Sequence, residues 1–468
     1  MNIRVALPKG RLLEPTAELL ARAGWGLTGY SDKARLYRLQ SESFPGLAAK
    51  MFQEKDIPIQ VAIGNYDLGV CGLDWLEEQL VKFPSSALVK LKDLGFGEGG
   101  VFVAAASARV KDGTLTTQNS RVRIASEYPN LAEKLAGDLR LPRFSIYPLW
   151  GAAEGYPPEN AELVLVSRKN EAEVAKGGLV PLGKLVDFRA CLVANAGSLR
   201  SKDMAALLAT LESGLPAIAT QPENSYSLKS LRTAPGNFIE DSDVVRLALP
   251  DGHQQAHVRK ILDAAGVNVE DYPSATGNRR PQGLPGFFIK VIRPQDMPLQ
   301  VANGNFDLAI TGRDWLTDHL YQFPTSPVKE LMDLKYGWVR IVAVVDNTVP
   351  VNSLAELRAY CGRSRTPYRV ASEYVNIADY YARSNHLGQY RIIPTWGATE
   401  AFLPEDADLL IENTETGSTI ARHNLKIIDT LFESTACVVG REQPATELKQ
   451  ERINRFLDAL RGGLKAMP

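Results

Sequence analysis

Short apolar runs alternate along this chain with longer stretches whose apolar residues recur every three or four positions. "IRVALP" (3–8), "DLGVCG" (67–72), "RVRIAS" (121–126) and "LVLVS" (163–167) are of the first kind and read as buried strands. "LLEPTAELLARAG" (12–24) and "PNLAEKLAGDL" (129–139) are of the second kind, an apolar stripe at helical spacing. Strands that alternate with helices predict an α/β fold with mixed, mostly parallel sheets, because parallel neighbours need a crossover and a helix is the usual one.

The whole pattern occurs twice. "IGNYDLGVCGLDWLEEQL" (63–80) matches "NGNFDLAITGRDWLTDHL" (303–320), and "RVRIASEYPNLAEKLA" (121–136) matches "PYRVASEYVNIADYYA" (367–382). "YPLWGAAEGYPPENAELVL" (147–165) matches "IPTWGATEAFLPEDADLLI" (393–411). Asp67 meets Asp307 at a separation of 240 and Trp150 meets Trp396 at 246, so one small insertion in the second copy accounts for the difference. The reading is two homologous units, 1–213 and 244–468, a gene duplication joined by a linker at 214–243. That linker is rich in Pro, Ser, Asn and Gly and poor in apolar periodicity. A half of this size makes one large domain or two lobes with a cleft.

Charge narrows the function classes. Lysine plus arginine (53) balances aspartate plus glutamate (54), which leaves no field for a polyanion and argues against nucleic acid as main partner. There is no apolar run of membrane-spanning length and the first residues lack a signal-peptide pattern, so the expectation is a cytoplasmic protein with no membrane partner. Four cysteines without C-x-x-C spacing favour reduced thiols, with Cys191 and Cys437 as small buried hydrophobes.

The chemistry concentrates in "DADLLIENTETGSTIARHNL" (406–425). "LLI" reads as a buried strand with Glu412 at its C-terminal end, where open α/β sheets bind ligands. Glu415, Thr416, Gly417, Ser418 and Thr419 follow, then a helix from about Ile420. Glycine lets backbone approach an anion, helix-start N–H groups point at it and hydroxyls add donors, while a carboxylate just upstream suits ribose hydroxyls. A capped helix after a strand gives the same pattern without a ligand. The first copy has lost the chemistry: Glu412 becomes Val166, Thr416 becomes Asn170, Gly417 becomes Glu171 and Thr419 becomes Glu173. Carboxylates aimed at a phosphate repel it, so that copy is not expected to bind one.

A reciprocal loss stands at the start of each half. "ALPKGRLLE" offers Lys9 and Arg11 around a glycine, and "ALPDGHQQA" offers Asp251 and His253. Arg293 stands where the first half has Gln53. Taken singly, each cation reads first as a solvated surface charge. His253 and His257 are four apart, yet lack the glutamate of H-E-x-x-H and a third ligand, so no protein-held metal site is assigned.

Together "ALPKGR", "DLAITGRDWL", "RVASEYVNIA", "WGATEAFLPEDADLLIENTETGSTIARHNL" and "FESTACVVGREQ" resemble the ATP phosphoribosyltransferase family, in its short catalytic form and twice over. The resemblance implies a two-lobed fold like periplasmic binding proteins in each half. It implies a Mg²⁺-dependent transfer of the 5-phosphoribosyl group from phosphoribosyl diphosphate to N1 of ATP, the first step of histidine biosynthesis. It assigns ribose hydroxyls to Glu412, the 5-phosphate to Thr416–Thr419, the departing pyrophosphate to Arg293, and the purine side to Asp307, Thr311 and Gly312. It also implies a regulatory subunit similar to histidyl-tRNA synthetase and dimer-like pairing, here an intramolecular pseudo-dimer with room for a further homo-oligomer. In such a pairing Lys9, Arg11 or Arg35 contributes cations from the first half. The competing expectation is a non-catalytic relative that binds a phosphoribosyl ligand or nucleotide and regulates a true transferase. Both halves carry Trp-Gly-Ala where many members have Ser-Gly-Ser.

Overall fold

The computed structural model describes residues 2–31, 37–117, 121–215, 228, 230–236, 242–275, 277–362, 366–397, 399–441 and 446–466. In the first half the strands are β1 (Ile3–Pro8), β2 (Arg38–Gln40), β3 (Leu47–Phe52), β4 (Leu68–Gly72), β5 (Leu88–Asp93), β6 (Gly100–Ala106), β7 (Val110–Lys111), β8 (Thr114–Thr117), β9 (Val122–Ser126), β10 (Phe144–Pro148), β11 (Leu163–Arg168), β12 (Leu179–Asp187) and β13 (Ala190–Asn195). After β14 (Arg232–Pro235) the second half brings β15 (Val245–Pro250), β16 (Phe287–Ile292), β17 (Leu308–Gly312), β18 (Val328–Asp333), β19 (Val339–Asp346), β20 (Tyr368–Ser372), β21 (Tyr390–Pro394), β22 (Leu409–Thr414), β23 (Leu425–Ser434) and β24 (Ala436–Arg441). The apolar runs read as strands are strands, and the two helical stretches form Leu13–Arg22 and Pro129–Asp138.

Each half holds two large sheets, and a small third one, β14-β8-β7, accompanies the first half. The orders are β2-β3-β1-β4-β13-β5 and β10-β9-β11-β6-β12 in the first half, β16-β15-β17-β24-β18 and β21-β20-β22-β19-β23 in the second. The chain leaves one sheet after β5 or β18 and returns with β13 or β24, giving the twice-crossed, two-lobed α/β layout of periplasmic binding proteins. Pairing is parallel where a helix connects neighbours, as in β1 with β3. It is antiparallel around the returning strands, as in β13 with β4 and β5, so the sheets are more evenly mixed than the sequence pattern suggests. The physical reason is that a strand arriving from the other lobe enters its sheet in the opposite sense to the strands already there, so β13 and β24 run antiparallel to neighbours far away in sequence.

The chain packs as two compact units. Unit 1 comprises Met1–Pro148, Ala161–Gly236 and Thr395–Asp406; unit 2 comprises Leu149–Asn160, Asn237–Pro394 and Ala407–Pro468. Each is completed by a short segment from the other half of the sequence. In unit 1 that segment is held by Lys50, whose buried Nζ donates to Asp406 at 2.7 Å and Glu405 at 3.1 Å, and by the Tyr66 hydroxyl on Asp406 at 3.1 Å. Phe402 packs edge-on to Phe52, and Arg38 donates to the Leu403 carbonyl. Unit 2 repeats the device: Lys290, fully buried, reaches the Tyr156 carbonyl and Glu159, both at 2.8 Å, while Arg280 donates to the Pro157 carbonyl. A buried ammonium is tolerated only when paired, so these lysines fix where the segment sits.

Apolar cores lie under the sheets. Leu7, Trp25, Val70 and Leu192 belong to one in unit 1, and Leu249, Ile261, Ile310 and Leu460 to another in unit 2. Cys191 and Cys437 are buried free thiols, as expected. Part of the stretch read as a linker is ordered: β14 runs parallel to β8, Arg232 opposite Thr114 through Pro235 opposite Thr117. Among the described residues no helix is long and apolar enough to cross a membrane.

Candidate active site

β22 delivers Glu412 half-buried near its C-terminal end and then turns sharply. Gly417 takes φ +78°, a left-handed backbone that favours glycine, and its N–H donates to Thr414 Oγ1 at 2.9 Å. The helix then begins at Ser418, two residues earlier than the sequence suggested, and runs only to Arg422. Ser418 and Thr419 thus lie in its first turn, where N–H groups have no intrahelical acceptor. The Thr416 hydroxyl donates to Ser418 Oγ at 3.0 Å, and Glu415, Thr416, Ser418 and Thr419 are all exposed. The turn presents hydroxyls to solvent, with the Ser418 N–H resting on Thr416 Oγ1 at 3.3 Å, beside two carboxylates, half-buried Glu412 and exposed Glu415.

The first-half copy is closed on itself. Asn170 caps the helix Glu171–Lys176 by accepting the Glu173 N–H at 3.0 Å. Glu173 reaches back to accept the Lys169 N–H at 3.1 Å. The chain's own carboxylate therefore supplies the anion at this turn, and Val166 is buried where Glu412 would stand.

Near each turn a buried carboxylate joins the two lobes of its half. In the second half Asp314 accepts the Tyr374 hydroxyl at 2.6 Å and the Ser434 hydroxyl at 3.1 Å, and Asn413 donates to the Tyr374 oxygen at 2.7 Å. Burial pushes the Asp314 carboxyl above its ordinary range, against these hydrogen bonds. In the first half Asp74 holds Tyr128 at 2.7 Å but also Arg11 at 2.8 Å. Arg11 further pairs with Glu54 at 3.0 Å, donates to Ser167 at 2.8 Å, and lies 3.6 Å from the centre of the Phe188 ring. Burial works against the Arg11 charge, yet Asp74 and Glu54 outweigh it and hold its pKa above the ordinary value. Ser167 stands where the second half has Asn413.

The other expected site residues separate. Arg293 bonds Asp251 at 3.2 Å and lies against Gly151; Arg279 bonds the same Asp251 at 2.8 Å and faces Glu154 at 3.6 Å. Two carboxylates balance two guanidiniums, so this group offers little surplus positive charge. Lys9 sits 3.4 Å from the centre of the Tyr37 ring, with burial lowering its pKa and Glu400 and Asp56 acting the other way. Thr311 is buried and donates to the Pro294 carbonyl at 2.8 Å, beside Gly312 at the end of β17. Asp307 precedes the opposite end of that strand, bound to the Arg246 N–H at 2.7 Å and Lys449 at 2.9 Å, and is not brought to the loop side. Arg35 lies outside the described residues.

Residues 53–213 and 293–462, more than half the chain, match the sequence profile of the ATP phosphoribosyltransferase family. The chain belongs to that family. It is similar to an ATP phosphoribosyltransferase of Saccharolobus solfataricus, 30% identical over 234 residues that cover 47% of this chain and 73% of the relative. To one of Prosthecochloris aestuarii it is 31% identical over 233 residues, covering 48% and 72%. Among solved structures, the ATP phosphoribosyl transferase (HisG:HisZ) complex from Thermotoga maritima aligns over 48% of this chain and 100% of that chain, at 24% identity and TM-score 0.39.

The Asp314–Tyr374–Asn413 connection escaped the sequence reading of this family member. Its signal was present: "DW" and "SEY" recur in both halves, but the repeat served only to establish the duplication. Partners 60 residues apart do not declare themselves in a linear pattern.

Proposed function

We propose that the chain is a working ATP phosphoribosyltransferase with one phosphoribosyl site, carried by the second half. It transfers the 5-phosphoribosyl group from phosphoribosyl diphosphate to N1 of ATP, releases pyrophosphate, and acts in the cytoplasm in histidine biosynthesis. The observation that supports the reading is the contrast between two copies of one turn: in residues 414–419 the Gly417 and Ser418 N–H groups rest on the turn's own exchangeable hydroxyls, while in residues 169–173 Glu173 folds a carboxylate onto the Lys169 N–H. The exposed hydroxyls and first-turn amides take the 5-phosphate. Glu412 takes the ribose hydroxyls, and its charge stabilises the cationic ribose that develops as pyrophosphate leaves. Positioning and charge complementarity suffice, with no covalent nucleophile.

Among the described residues no three carboxylates, histidines or cysteines form a metal-binding group. Mg²⁺ needs only one or two protein carboxylates when substrate phosphates supply other ligands, and Glu412 fits that role. The ion when bound would neutralise the phosphates. A synthetase-like regulatory subunit belongs to the same proposal and is tested by whether it raises turnover.

Thr416→Ala with Thr419→Ala removes donors from an exposed turn. Charge-assisted hydrogen bonds are worth about 1.5–3 kcal/mol each, so affinity for phosphoribosyl diphosphate is expected to fall at least about tenfold with an unchanged melting transition. Calorimetry showing wild-type affinity would remove the site from this turn. Binding without formation of the ultraviolet-absorbing product from ATP would make the chain a non-catalytic relative.

A further inference from the structure

The candidate cations of the sequence are engaged: Arg11 with Glu54 and Asp74, Lys9 over Tyr37, and Arg293 with Asp251, although the Arg293 Nε is buried without a partner. Arg340, beside the second-half turn, has no such anion among the described residues. Arg340 lies on β19 directly opposite Thr414 of β22, and Val342 lies opposite Glu412. Opposed residues of an antiparallel ladder share a face, and so do residues two apart along a strand. Arg340, Glu412 and Thr414 therefore project from the same face, and Thr414 is the residue on which the turn is folded through the Gly417 N–H.

Arg340 Nε is buried without a hydrogen-bond partner, and among the described residues its guanidinium makes no ion pair. Its guanidinium carbon lies 6.0 Å from the centre of the Trp338 ring. Glu433, opposite Arg340 on β23, accepts the Trp338 indole N–H at 3.2 Å instead. A buried donor on a permanent cation without an acceptor is costly and calls for a bound group.

The first half supplies an independent contrast. The residue at the matching ladder position is Gly100, opposite Arg168. A Cβ there would lie 2.8 Å from the Val186 carbonyl oxygen, so the position has no room for an arginine. The second half thus has an arginine on β19 and a threonine at the turn, whereas the first half has glycine on β6 and an arginine, Arg168, at the turn, its Nη1 bonded to the Ser167 carbonyl at 2.9 Å.

We infer that Arg340 is the cation of the second-half turn and bonds the 5-phosphate of the phosphoribosyl donor. This rests on the phosphoribosyl reading of the turn. Arg340 holds one end of the donor and leaves the pyrophosphate end to other groups, so it is a binding and positioning residue.

The test uses the full chain as wild type, Arg340→Ala, Arg340→Lys and the double variant Thr416→Ala/Thr419→Ala. Ribose 5-phosphate, phosphoribosyl diphosphate and inorganic pyrophosphate are titrated by calorimetry, with KM for ATP and thermal melts alongside. Arg340→Ala is expected to weaken ribose 5-phosphate and phosphoribosyl diphosphate by a similar factor of ten or more. Pyrophosphate affinity, KM for ATP and the melt should stay unchanged, and Arg340→Lys should recover part of the loss. Unchanged ribose 5-phosphate affinity in both Arg340 variants, while the double variant is weakened, overturns the assignment and leaves the turn intact as the site. A lowered melt with unchanged affinity makes Arg340 a sheet residue only. Unchanged affinity in all three variants removes the phosphoribosyl reading and this inference with it.

Discussion

Arg11 shows how a residue's surroundings decide its use. It has the charge a pyrophosphate would want, yet it satisfies Glu54 and Asp74, whose side chains are 9% and 0% exposed. Removing one member of a buried pair leaves an uncompensated charge, which costs 3–5 kcal/mol in fully buried cases; Arg11 is partly exposed, so about 3 kcal/mol is expected for Arg11→Ala. The pH dependence has a definite sign. Burial already raises the Glu54 pKa and Arg11 opposes that rise. Without Arg11 the folded value moves further above the unfolded one. Such a carboxyl costs stability above its folded pKa and ceases to cost once protonated. The deficit of Arg11→Ala against wild type should therefore be greatest at about pH 7–8 and narrow as pH falls towards about 5, read from thermal melts. A deficit that grows on acidification would contradict the pairing. The strand–turn–helix at 409–422 was legible from contiguous residues, whereas the engagement of Arg11 was not, since its partners lie 43 and 63 positions away.

At the scale of elements, the two copies of the strand–turn–helix differ in their own bonding: Glu173 folds back onto the first-half turn, while the second-half turn is held by the Thr414 and Thr416 hydroxyls. Helix Glu171–Lys176 is short, so its Asn170 cap is a large part of what holds it. Asn170→Ala should cost about 1 kcal/mol of stability, measurable in denaturant, and leave turnover unaltered. Loss of turnover with unchanged stability would mean that the first-half turn takes part in the chemistry. Strand and helix positions followed from apolar periodicity because one buried face per element imposes it. The early start of the helix at Ser418 did not, because a left-handed glycine sets it and no apolar residue marks it.

The whole molecule adds the segments 395–406 and 149–160, each of which completes the unit built mainly from the other half of the sequence. Asp406→Ala leaves the buried Lys50 ammonium with only Glu405, and a loss of about 3 kcal/mol or more is expected. Arg455→Ala, which breaks the exposed pair with Glu451, should cost under about 1 kcal/mol and serves as control. Equal effects from the two in denaturant melts would show that Lys50 does not anchor the segment. An isolated 244–468 chain lacks the whole 149–160 segment, including Tyr156 and Glu159 that bond Lys290; such a fragment is expected to melt well below the full chain.

The sequence by itself determined the α/β class, the repeat, the family and the turn at 414–419, because each is written in neighbouring residues or in the recurrence of a long word. Only the tertiary structure decided which charges remain available. It engaged Arg11 and Arg293, set Asp307 at the far end of its strand, placed Arg340 across the ladder from Thr414, and lent each unit a segment of the other half. The physical reason is that an ion pair or a ladder register joins residues tens of positions apart, and charge compensation depends on that distance in space rather than on order along the chain.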